Sequence, residues 1–128
     1  MPYEVEAQGR VVLVRCTGQV TAAEIEAMTT ALAARADFED QRFHVFDWSE
    51  ATLPPLTEEL IWATAGIIGA VATNRRLESV FVPDTPQLRA FVEYLQPTLG
   101  ELKITFMPTT ADAWDWIQGR TTIVRTLS

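Results

Sequence analysis

A chain of 128 residues, 48% of them hydrophobic, is the usual size of one domain and carries enough apolar side chains for a core of its own. Its net charge of −7 repels phosphate backbones, and its basic residues are scattered apart from the doublet Arg75-Arg76, which argues against nucleic acid as a partner. Cys16 is the only cysteine and His44 the only histidine, which excludes an internal disulfide and leaves too few soft ligands for a structural zinc or copper site. Met1 to Gln8 carry neither a basic head nor an apolar run. The longest weakly polar stretch, Leu60 to Thr73, falls short of a membrane span, so the expectation is a cytoplasmic protein.

Val5 to Cys16 reads as two strands turned at Gln8-Gly9, with Val11 to Val14 β-branched enough to be buried on both faces. Thr21 and Glu24 form a capping box ahead of Ile25, Met28 and Leu32, which repeat at helical spacing to about Arg35. Phe43 to Asp47 is the next strand, and Ser49 to Leu56, with Pro54-Pro55, reads as a loop. Thr57 caps a second helix through about Thr73, with Glu58 and Glu59 in its first turn and Arg75-Arg76 at its end, as the helix dipole prefers.

Leu77 to Val82 is a fourth strand. Asp84-Thr85-Pro86 opens a helix whose apolar stripe is Leu88, Phe91, Val92 and Leu95, closed by Gly100. Lys103 to Met107 is a fifth strand, and Thr109-Thr110 opens a helix through Ile117 that ends near Gly119 as a left-handed cap. Residues 1–119 thus form one α/β domain of order ββαβαβαβα, with about four helices on a mixed, mostly parallel five-stranded sheet. The tail 120–128, with Thr121-Thr122-Ile123-Val124, reads as either an extra strand or a frayed end.

The order of elements, the strand ending Asp47-Trp48-Ser49, the run Arg76 to Val82 with the helix after it, and Phe106-Met107-Pro108 resemble the STAS superfamily, nearest its SpoIIAA-like members. The resemblance spans Tyr3 to Ile117 and implies the fold more firmly than the function. In the anti-sigma-factor antagonists of that family, a serine at the start of the second helix is phosphorylated. Aligning the strand ends places Leu56 at the acceptor and Pro55 at the acidic residue before it, so the usual phosphoswitch is expected to be absent. Thr57 is the nearest hydroxyl, better read as an N-cap than as a phosphate acceptor facing Glu58 and Glu59.

No catalytic or cofactor motif is legible. Asp47, at the carboxyl end of a parallel strand, with Trp48, Ser49 and Glu50 after it, occupies the place where open α/β sheets put ligand groups, although Asp47 and Ser49 equally suit a turn-holding role. His44 sits among apolar neighbours and reads as a hydrogen-bonded core histidine, so an enzyme using Asp47, Glu50 and His44 is the least supported class. The second helix is apolar all round. Leu60, Thr64, Ile67, Ile68 and Val71 mark one side, and Trp62, Ala65, Gly66 and Gly69 the other. Two functions follow: a noncatalytic regulatory module contacting a protein partner or a second copy through this helix, with Trp62 as anchor, or a carrier of a small apolar, lipid-like ligand using Trp62, Gly66, Gly69 and Trp48.

Overall fold

Gly9, at φ 59°, turns β1 (Tyr3–Gln8) back on β2 (Val11–Gln19) as an antiparallel hairpin. The computed structural model describes residues 3–127, without the side chains of 121–127. From β2 onward every strand is reached through helices: α1 (Ala22–Ala33) leads to β3 (Phe43–Thr52), α2 (Glu58–Thr64) and α3 (Ile67–Thr73) to β4 (Glu78–Val82), and α4 (Pro86–Tyr94) and α5 (Gln96–Leu99) to β5 (Lys103–Phe106). The helix α6 (Thr110–Leu127) closes the described chain. The sheet order is β1-β2-β3-β4-β5, parallel from β2 to β5.

A sheet that grows steadily in one direction by right-handed crossovers must put its crossover helices on one face. The packing follows this rule. Ile25, Met28, Leu60, Leu88, Phe91 and Leu95 meet Val12, Val14, Phe46 and Phe81 on that face, whereas Ala113 and Ile117 of α6 cover Val11, Leu13, Val45 and Val80 on the other. Trp116 packs edge-on against Phe43, and the Arg120 guanidinium lies 4.9 Å from the Trp116 ring while bonding Glu78, so this tryptophan is used in seating α6.

The helix starts are where the residue chemistry puts them. The hydroxyl of Thr21 accepts from Glu24 N while Glu24 reaches back to Thr21 N at 3.0 Å, and Thr57 and Thr85 accept from Leu60 N and Leu88 N. Three expectations are corrected. β3 continues to Thr52 rather than ending at Asp47, because a bulge opposite Arg15 to Thr17 lets Glu50, Ala51 and Thr52 pair with Thr17, Gly18 and Gln19. The second helix is broken around Ala65-Gly66, where Gly66 and Gly69 weaken the helix and Ala65 N turns to Trp62 O three residues back. Gly119 is not a left-handed cap: only Gly9, Gly18 and Gly100 have positive φ among the described residues. The helix passes through Gly119, so residues 120–127 extend α6 instead of adding a strand.

Asn74, 4% exposed, ties the end of α3 to the turn before β3 by donating from Nδ2 to Phe38 O and Gln41 O, each at 2.8 Å. Removing that donor strands two carbonyls. Asn74→Ala should therefore cost about 2 kcal/mol in urea unfolding, and a loss below about 0.5 kcal/mol would show that these bonds do not fasten the two segments.

Candidate functional site

His44 is 4% exposed and points, with Phe46 and Trp48, toward the face that carries α1 to α5. Its Nε2 lies 2.6 Å from Oε1 of the buried Gln41, whose Nε2 donates to Asp37 Oδ1 at 2.8 Å; Asp37 is in turn held by Arg35 Nε at 3.0 Å. A carboxylate only accepts, so Gln41 must present its NH2 to Asp37 and its oxygen to His44. The proton of the neutral imidazole then sits on Nε2. Burial, aided by the charge of Arg35 and opposed by Asp37, pushes the imidazole down to about 4, so it is neutral at pH 7 and its Nδ1 is an acceptor without a partner among the described residues.

A cavity of about 90 Å³ opens beside this imidazole, between the sheet and the helices α1, α3, α4 and α5. Its walls are nearly all apolar and include Met28, Leu32, Phe46, Ile67, Phe81 and Leu99. Ser79 is the direct register partner of His44 on β4 and also lines the cavity. It is 2% exposed and its hydroxyl makes no hydrogen bond to another described residue. Trp48, tilted against Phe91 at 5.6 Å, forms another wall, and its buried indole N–H has no acceptor among the described residues. An orphaned buried N–H is uncommon enough to require a reason. No hydrogen bond joins His44 to Ser79, as an activated nucleophile would need.

The remaining candidates lie elsewhere. Asp47 points to the opposite face of β3 from His44: its Oδ1 accepts from Ser49 N at 2.9 Å and Ser49 Oγ at 2.6 Å, and its Oδ2 from Thr110 Oγ1 of α6 at 3.2 Å. Glu50 is exposed. Asp47, Glu50 and His44 therefore do not converge, and among the described residues no group of three His, Cys, Asp or Glu side chains could hold a metal ion. Burial first, then the charge of Asp47, pushes the Cys16 thiol up to about 12, which leaves it a packing residue. Thr57 uses its hydroxyl as the cap of α2, and Leu56 beside it is 49% exposed.

The residues expected for an apolar ligand fall in two places. Trp48 lines the cavity, but Trp62, Gly66 and Gly69 do not; α3 turns its other side, Ile67 and Val71, toward it. The inner side of α2 is closed by α5 through the buried pair Thr64 Oγ1 and Thr98 Oγ1, 2.8 Å apart. Ser79 and Gln41 were not singled out from sequence. The available signal for Ser79 was a lone small polar residue beside the apolar run Val80 to Val82 of a buried strand.

The depressed imidazole has a consequence for stability. The folded value lies below the ordinary 6.5, so on acidification the unfolded chain takes up the proton first. The contribution of His44 is complete above about pH 6.5 and is lost as pH falls toward about 4, a change on the order of 3 kcal/mol. Urea unfolding at stepped pH should show a flatter profile for His44→Gln than for the unaltered chain across that window. Parallel profiles would mean that the folded protein protonates His44 freely.

No family model and no curated protein matches this chain. Solved structures do. The anti-sigma factor antagonist SpoIIAA in its unphosphorylated form superposes with a TM-score of 0.66 at 11% identity, covering 91% of this chain and 98% of that one. The phosphorylated Bacillus cell fate determinant SpoIIAA gives 0.58 at 11% identity, covering 90% and 98%. An uncharacterized protein of the DUF3478 family from Shewanella loihica PV-4, described as having a SpoIIAA-like fold, gives 0.55 at 14% identity, covering 89% and 90%. This chain is a single domain with the SpoIIAA-like fold that its resemblance to the STAS superfamily implied.

Proposed function

We propose that this chain is a noncatalytic, cytoplasmic regulatory module that works by protein contact through the outer face of α2 and α3. The observation that carries the reading is the exposure of three large apolar side chains within one short stretch: Leu56 is 49% exposed, Trp62 74% and Ile68 55%. Large side chains grouped in this way mark contact surfaces, and an exposed tryptophan is the usual anchor. Gly66 and Gly69 have open space above them, so a partner backbone can come close.

The partner we favour is a second copy of the chain. On a protein of net charge −7, Leu60 to Thr73 is free of charged residues, so two copies can meet there without opposing like charges. The likeness to SpoIIAA supports a regulatory role, while Leu56 at the aligned acceptor position and Thr57 engaged as a cap support regulation without phosphorylation at that point.

A second reading is favoured by the cavity beneath α3: the domain binds a small apolar molecule there, on the inner side of the helices instead of the Trp62 face. The two readings use opposite sides of α3 and are compatible.

Native mass spectrometry of the freshly purified chain and of Trp62→Asp tests the first reading. Because Trp62 is 74% exposed, the variant should keep its fold and melt within a few degrees of the unaltered protein. The expected result is a dimer that becomes a monomer in the variant. An unchanged oligomeric state in a folded variant would contradict contact between copies through this face.

A further inference from the structure

We infer that the cavity between the sheet and α3 takes a neutral, apolar molecule bearing one hydroxyl group, held by His44 and Ser79. This rests on the ligand-binding reading above and names the chemistry that the walls select. His44 and Ser79 are register partners on adjacent parallel strands and both line the cavity. The Gln41 bond leaves Nδ1 of His44 as a bare acceptor, and the Ser79 hydroxyl supplies a donor beside it. A ligand hydroxyl satisfies both at once, donating to Nδ1 and accepting from Ser79 Oγ, whereas a hydrocarbon satisfies neither.

Charge is selected against. None of the lining residues is Asp, Glu, Lys or Arg, and the nearest cation of the relay, Arg35, is already engaged by Asp37. An anion placed there would lose its hydration without gaining a counterion. Size is limited as well. The volume of about 90 Å³ is smaller than the engineered apolar cavities of about 150 Å³ that hold benzene, which limits the ligand to at most a single small ring or a short chain. Entry is available between α1 and α3, where Thr29, Ala33, Ile67 and Val71 line the cavity and all keep some contact with solvent.

The test is calorimetric titration at pH 7.5 with phenol, benzene and benzoate, on the unaltered chain, Ser79→Ala and Ala33→Trp. Ser79→Ala removes the hydroxyl with little change of volume, and Ala33→Trp adds bulk at the exposed mouth; thermal melts of both confirm that they fold. Phenol should bind saturably, benzene about tenfold more weakly, and benzoate not at all. Ser79→Ala should weaken phenol by about five- to tenfold and leave benzene unchanged, and Ala33→Trp should abolish both. Benzene binding as tightly as phenol, with Ser79→Ala without effect, would overturn the hydroxyl inference and leave the cavity as an apolar site. Absence of binding by both phenol and benzene, or binding that survives Ala33→Trp, would overturn the inference and the ligand-binding reading together.

Discussion

The hydrogen bond between Gln41 and His44 determines the character of the interior. An imidazole in the middle of a β-sheet is tolerated only if it is neutral and at least one nitrogen is satisfied. Burial keeps the ring neutral and Gln41 satisfies Nε2, because Asp37 fixes which way its amide faces and Arg35 holds Asp37. A surface ion pair thereby sets the tautomer of a side chain that is 4% exposed. Asn74 adds to the same structure from the far end of α3 by capping the carbonyl of Gln41 itself, so the relay and the closure of α3 on the sheet are mechanically one unit.

The topology explains why the cavity lies where it does. Four parallel strands in sequential order place α1 to α5 on one face, and helices broken by Gly66 or by the turn at Leu95 do not tile that face as closely as continuous ones would. The gap falls over the centre of the sheet, above His44 and Ser79. Among the described residues the opposite face is covered by α6, and there Asp47 accepts from both Ser49 and Thr110 and anchors that helix. The carboxyl end of β3, where a ligand group is expected in an open α/β sheet, has thus been turned to structural use, and the polar groups that face the cavity, His44 and Ser79, lie at the amino-terminal ends of β3 and β4.

What was legible in the sequence was local chemistry. Thr21 with Glu24, Thr57, and Thr85 with Pro86 announce helix starts because a hydroxyl and the first-turn amides satisfy each other within a few residues. Leu88, Phe91, Val92 and Leu95 announce their buried face by spacing. What was illegible depends on contacts between distant segments. The bulge that extends β3 to Thr52 is decided by β2, and the passage of α6 through Gly119 is a modest cost of about 1 kcal/mol that a long helix absorbs. The sequence shows that the second helix is apolar all round, but only the packing shows that α5 closes one side and leaves Trp62 and Ile68 open. The pairing of Ser79 with His44 follows from strand register, which no single segment encodes.

The protonation pattern of His44 is the most direct measure of this account, since the bare Nδ1 gives the cavity its selectivity. Nitrogen-15 chemical shifts of the labelled imidazole at pH 7 should show a neutral ring with the proton on Nε2 and an unprotonated Nδ1. A proton on Nδ1, or an imidazolium ring at that pH, would contradict the orientation assigned to Gln41 and with it the chemistry assigned to the cavity.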